Sequence, residues 1–263
     1  MQSKFKTLLF EIDSDGIAIV TLNRPDKLNA MNAEMRADFG VLMEEFYSNS
    51  EIKVIIFTGA GRAFSAGGDI DFLDQNWSTP EFRRETQKFT GFFDALEILE
   101  KPVLAAINGP CTGAGLQITL SCDIRMASRQ AQFGFRENLI GLIPGAGGCS
   151  RLVKLLGYGK AKELIFTGEM ISAVEAEKIG LINKVVEHDI LQEEIMKMAR
   201  LLLTRAPVAL GLAKRILWNC VNVDMNTGRS LESLAQSILI NTQDHKEGIK
   251  AFREKRAPEF KGK

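Results

Sequence analysis

Glu137 is the residue of this chain best placed to move a proton. It follows the strand-like run Ala131-Gln132-Phe133-Gly134-Phe135 and precedes a glycine-rich run from Gly141 to Gly148. A carboxylate set among apolar segments loses solvation, which raises its pKa toward the range of acid–base work. Upstream, Pro110-Cys111-Thr112-Gly113-Ala114-Gly115 forms a turn almost without side chains and feeds an apolar helical run containing Gln117. Such a turn leaves backbone N–H groups unpaired at the positive end of the helix, where a phosphate, a carboxylate or a developing oxyanion can sit. Gly61-Arg62-Ala63-Phe64-Ser65-Ala66-Gly67-Gly68-Asp69-Ile70 repeats the theme. If the two turns converge, they form a two-donor oxyanion hole. The plainer reading is a pair of tight strand-to-helix turns.

Other chemistries find less support. The two histidines, His188 and His245, stand in polar surroundings and read as surface residues, which argues against a histidine triad or a multi-histidine metal site. Cys111, Cys122, Cys149 and Cys220 show no Cys-x-x-Cys pairing and read as reduced thiols; Cys111, beside the turn, is a candidate nucleophile with no histidine near it in sequence. The 33 basic and 33 acidic residues give no electrostatic reason to expect nucleic acid or an anionic membrane as partner. No apolar stretch reaches the length of a membrane span. Met1-Gln2-Ser3-Lys4-Phe5-Lys6 lacks the apolar core of a signal peptide, so the expected compartment is the cytoplasm. A dinucleotide site fails on spacing: neither Gly59, Gly61 and Phe64 nor Gly113, Gly115 and Ile118 supply the third glycine of the fingerprint.

The elements that must position these groups follow from periodicity. Residues 5–22 alternate around Asp13-Ser14-Asp15-Gly16 and predict a hairpin. Asn32 caps an amphipathic helix to about residue 48, with Met35, Phe39, Leu42, Met43 and Phe46 on one face. Val54-Ile55-Ile56-Phe57 and Val103-Leu104-Ala105-Ala106-Ile107 are apolar throughout, as strands of a parallel sheet covered on both faces are. Helices are predicted from Thr79-Pro80 to about Glu100 and over 116–122, 148–157 and 159–167, with a capping box at Ser172-Ala173-Val174-Glu175. From Asp189 the pattern is helical. The chain of 263 residues therefore divides into a β-bearing core, 1–187, and a helical region, 188–263.

Taken in order, the motifs resemble those of the crotonase superfamily, the enoyl-CoA hydratase/isomerase family, over essentially the whole chain. The markers are Leu22-Asn23-Arg24-Pro25 with Asn29-Ala30, Phe64-Ser65-Ala66-Gly67-Gly68-Asp69, Lys101-Pro102 to Asn108-Gly109, and Cys122-Asp123. Phe133-Gly134, the run Gly141 to Gly148 and the tail Phe252-Arg253-Glu254-Lys255-Arg256 complete them. The resemblance implies an α/β fold, a crotonase-like spiral of strand-strand-helix (ββα) turns with a C-terminal helical trimerisation region. It further implies a homotrimer or a hexamer built as a dimer of trimers. It implies a coenzyme A thioester as substrate, with no permanently bound cofactor and no metal, and an enolate held by the N–H groups of Ala66 and Ala114. Arg24, Lys27, Ser65, Gly68, Asp69 and Ile70 would border the coenzyme, with Phe252 and Lys255 at its nucleotide end. Trp77, Phe72 and Leu142 are candidates for the acyl pocket.

The family's hydratases use two glutamates, whose positions here carry Gln117 and Glu137. An amide can hydrogen-bond a water but cannot take its proton. One carboxylate is enough to migrate a double bond, so isomerisation of an enoyl-CoA is preferred on mechanism. Hydration is the alternative. Retro-aldol cleavage, another thioester reaction, or a catalytically weak acyl-CoA-binding role are further ones.

Overall fold

The computed structural model describes residues 4–263; Met1, Gln2 and Ser3, part of the stretch read as lacking a signal peptide, lie outside the described residues. Strands β1 (Leu8–Ile12) and β2 (Ile17–Leu22) form the expected antiparallel hairpin. Asp13 closes its turn: Oδ1 accepts from the N–H groups of Asp15 and Ile17. Helix α1 (Ala33–Ser48) begins where Asn32 Oδ1 accepts the Met35 N–H. Its face of Met35, Phe39, Leu42 and Phe46 is buried against the sheet.

Strand β3 (Val54–Gly59) pairs in parallel with β2, and β4 (Val103–Ile107) in parallel with β3. Between them lie a four-residue turn of helix, α2 (Ile70–Leu73), and the long α3 (Thr79–Ile98). Ser78 caps α3 through a reciprocal box with Glu81, one residue before the start expected at Thr79-Pro80. Then come β5 (Cys111–Thr112), α4 (Ala114–Leu120), β6 (Ile124–Ser128) and β7 (Gln132–Gly134). Helix α5 (Gly148–Thr167) breaks at Gly157, matching the two helices expected there. Next are β8 (Ile171–Ser172), α6 (Ala173–Lys178, capped by Ser172) and β9 (Lys184–Val186).

The main sheet runs β1-β2-β3-β4-β6-β9 and is parallel beyond the hairpin; β5-β7-β8 form a small second sheet. All five residues of β4 are buried, as a strand covered on both faces requires. One face of the main sheet packs on α1 and α3. The other is covered by α7 (Leu191–Leu203), whose Leu191, Ile195 and Ala199 bury against Ile17, Val54, Ile56, Leu104 and Met126. The chain beyond residue 187 thus begins as part of the core, and only α8 (Pro207–Cys220), α9 (Met225–Leu239) and α10 (Gln243–Glu254) have the character of an outer helical layer. Among the described residues no helix is long and apolar enough to cross a membrane.

Candidate active site

The two glycine turns meet. Thr112 N–H donates to Ser65 O at 2.9 Å and Thr112 Oγ1 to Ala66 O at 2.9 Å, so the first turn lies along β5. Gly67 adopts φ +96°, and a Cβ there would stand 2.9 Å from Thr112 O and 3.2 Å from Ala114 N. No other residue type fits that approach without displacing the turn. Gly113, at φ +52° and ψ −126°, aims the start of α4 into the same space.

One of the two donors that remain free differs from those expected. In the first turn, Ser65 N–H goes to Pro110 O, Ala66 N–H to Leu28 O at 2.8 Å, and Asp69 N–H to Met31 O. Gly67 N–H goes to Ser65 Oγ. Ala66 is therefore spent on holding the turn, which corrects its assignment as an oxyanion donor. Within Ser65–Asp69, Gly68 is the residue whose N–H has no partner among the described residues. In the second turn Ala114, the first residue of α4, keeps a free N–H because a helix's first N–H groups have no carbonyl to reach.

Glu137 opens a single helical turn, Glu137–Ile140, directly after β7. Its Oε1 accepts a hydrogen bond of 2.8 Å from Gln117 Nε2. Gln117, fully buried in α4, is fixed in turn by the Ala146 N–H, which donates to Gln117 Oε1 at 2.7 Å. The amide orientation follows, since only Nε2 can face the carboxylate while Oε1 faces an N–H. The other carboxylate oxygen, Oε2, is buried with no partner among the described residues. Burial pushes the Glu137 carboxyl above the ordinary range, against a smaller pull downward from its own backbone N–H and from Gln117.

These groups line one cavity of about 420 Å³, walled by Gly68, Ala114, Gln117 and Glu137 on the polar side. Ile70, Leu73, Phe82, Phe89, Leu139 and Leu142 supply the apolar side, with Arg36 among them. Leu142 is where the sequence places it. Phe72 packs on Trp77, with ring centroids 5.1 Å apart, and Trp77 lines a neighbouring groove instead.

The expected coenzyme contacts separate into two groups. Arg24 Nη1 bonds Asp69 Oδ2 at 2.7 Å and also the Ala30 carbonyl, so both charged residues brace the first turn from inside. Ser65, wholly buried, donates from Oγ to Asn29 O and shapes the same turn. Ile70 is exposed on the cavity wall, while Lys27 is exposed 3.9 Å from the Asp71 carboxylate and lines no wall of the cavity. Phe252 and Lys255 stand at the end of α10 and line no wall of the cavity. Cys111 is buried in β5 with its thiol pushed far up by burial, which removes it as a nucleophile. Arg36 escaped the sequence reading because a lone arginine on an amphipathic helix looks like a solvated one; the phenylalanines at 72 and 89 that enclose it are distant in sequence.

The profile of the enoyl-CoA hydratase/isomerase family matches residues 13–263. The short-chain-enoyl-CoA hydratase of Clostridium acetobutylicum is 42% identical over 241 residues, 91% of this chain and 92% of that protein. The crotonyl-CoA hydratase of Syntrophomonas wolfei is 37% identical over 245 residues, 93% of this chain and 94% of that one. The crystal structure of an enoyl-CoA hydratase from Bacillus anthracis superposes with a TM-score of 0.94 at 35% identity, covering 98% of this chain and all of that one. The fold is therefore the crotonase fold, and the chain belongs to the enoyl-CoA hydratase/isomerase family.

Proposed function

We propose that the chain adds water to a 2-enoyl-CoA thioester, with Glu137 moving the proton and the N–H groups of Gly68 and Ala114 holding the thioester oxygen. The observation that carries this reading is the buried, unpartnered Glu137 Oε2 on the wall of the cavity that both free N–H groups line. The names of the relatives favour hydration over the isomerisation that the amide at Gln117 first pointed to.

The proton count allows it. Glu137 carboxylate takes a proton from water as the water oxygen bonds C3, and the π electrons move to the thioester oxygen. Gly68 and Ala114 N–H groups stabilise that enolate, worth about 10²–10³ in rate per donor. Collapse of the enolate takes the same proton from Glu137 at C2, so hydrogen and hydroxyl arrive on one face. A single carboxylate is sufficient, and Gln117 positions it.

Isomerisation is the second reading, favoured by the Gln117–Glu137 hydrogen bond: one positioned base can remove a proton and return it further along the chain. Crotonyl-CoA and a 3-enoyl-CoA separate the two. Loss of the conjugated-thioester absorbance with crotonyl-CoA is the expected result. Gain of absorbance with the 3-enoyl thioester, and no reaction with crotonyl-CoA, would replace hydration by isomerisation.

A further inference from the structure

The apolar wall of the cavity holds a cation with nothing to bind. Arg36 projects from α1 between two rings, its guanidinium 4.3 Å from the Phe72 centroid and 4.0 Å from that of Phe89. Its side chain makes no hydrogen bond and no ion pair among the described residues, and its Nε is buried without a partner. The acid that attracts it, Glu85, has an oxygen 2.7 Å from Lys88 Nζ and acts on Arg36 only through space. Burial lowers the Arg36 pKa to about 10, which leaves the group charged at neutral pH. The two rings recover part of the lost hydration through cation–π attraction, but they satisfy none of its N–H donors. A leucine or methionine would fill the same gap without that penalty. A hydrocarbon chain lying in this cavity would press against the unpaired charge and desolvate it further.

We propose that the acyl cavity is built for a CoA thioester whose acyl chain ends in a carboxylate, received by the Arg36 guanidinium. The inference rests on the reading that this cavity holds the acyl group of a CoA thioester. The planar fork of arginine matches a carboxylate with two parallel hydrogen bonds, and the flanking rings fix its plane in advance, so little side-chain freedom is lost on binding. The acyl chain would then be held at both ends, with its thioester oxygen at Gly68 and Ala114 and its terminal carboxylate at Arg36. The chain between passes Glu137.

Binding of saturated thioesters, which cannot react, tests this without reference to turnover. Calorimetry on the full chain would compare glutaryl-CoA with pentanoyl-CoA, and adipyl-CoA with hexanoyl-CoA. The expected result is a preference for the acid-ended member of about tenfold or more. Arg36→Met, which keeps the stem between the rings, abolishes that preference, and Arg36→Lys retains part of it. Equal affinity in the wild-type protein overturns the proposal even if Arg36→Met fails to fold, and so does failure to bind any of the four. Glutaconyl-CoA and crotonyl-CoA then report on hydration separately. A preference for the acid-ended thioesters with no turnover of either enoyl-CoA leaves this inference standing and removes hydration. Turnover without the preference does the reverse.

Discussion

Glu137 must be ionised to take a proton and protonated to return it, so its pKa governs the site. Glu137→Gln keeps the shape and removes the proton acceptor. Turnover of the enoyl-CoA substrate should fall about 10²–10⁴-fold, while calorimetry finds binding of a saturated acyl-CoA unchanged. Gln117 makes a finer test. Its N–H favours the ionised carboxylate, so Gln117→Met should let burial push the Glu137 pKa higher still. Since kcat/KM requires the ionised form, activity falls as pH drops through that pKa, and the acid limb of the profile moves to higher pH in the variant. A limb that stays in place would mean the hydrogen bond does not tune the base. The sequence showed the carboxylate and the amide but not their contact, because residues 117 and 137 meet only through the packing of α4 against the turn after β7. The same limit explains the exchange of Ala66 for Gly68. The glycine turn was legible; which of its N–H groups stayed free was decided by Leu28, Met31 and Pro110, carbonyls brought in from elsewhere.

Two elements hold the donors in place, and each has one point of failure. The first turn depends on the Arg24–Asp69 pair, in which the side chains are only 19% and 8% exposed. Burial raises the Asp69 carboxyl, but the hydrogen bond and charge of Arg24, with the N–H groups of Asp71 and Phe72, hold it below the ordinary value. A depressed folded pKa gives stability that is present at neutral pH and is lost as pH falls through that folded value. Asp69→Ala strands the guanidinium and removes the cap of α2, at about 3–5 kcal/mol. Arg24→Met with Asp69→Ala should recover part of that loss in a denaturant double-mutant cycle; strict additivity would show that the pair is not a brace. The second turn depends on Gly113. Alanine there is strained at φ +52°, by about 1–3 kcal/mol, and its Cβ would lie 3.4 Å from Glu137 Oε1. Gly113→Ala should lower kcat more than it lowers the melting temperature would imply, because Ala114 N–H and Glu137 shift together. The hairpin, α1 and the buried strands were readable because each rests on local periodicity. Helix α7 was readable as a helix but not as sheet cover: Leu191, Ile195 and Ala199 form an apolar stripe whose partner the sequence does not name.

At the scale of the whole molecule, α8 to α10 present more apolar surface than the core beneath them uses. Leu217 is 68% exposed, Met225 71%, Leu234 63% and Ile238 57%, on consecutive helices of one layer. Scattered exposed apolar residues need no explanation, but this many on two adjacent helices is what assembly would bury. The family resemblance implies a trimer built through this layer, and light scattering should return three times the 29.1 kDa mass of the chain, or twice that again for a hexamer. Leu234→Asp with Ile238→Asp should return the mass of one chain, since a carboxylate buried without a partner opposes assembly. The cavity itself lies on α3, α4 and the Glu137 turn, away from those positions, so the separated chain keeps its oxyanion donors and its base. Phe252, 84% exposed, and Lys255 line no wall of their own cavity, yet they sit at the end of the layer that assembly would cover. If they hold the nucleotide end of a thioester bound to a neighbouring chain, the dissociated variant shows a raised KM with kcat little changed. A dissociated variant with an unaltered KM would assign both residues to surface packing.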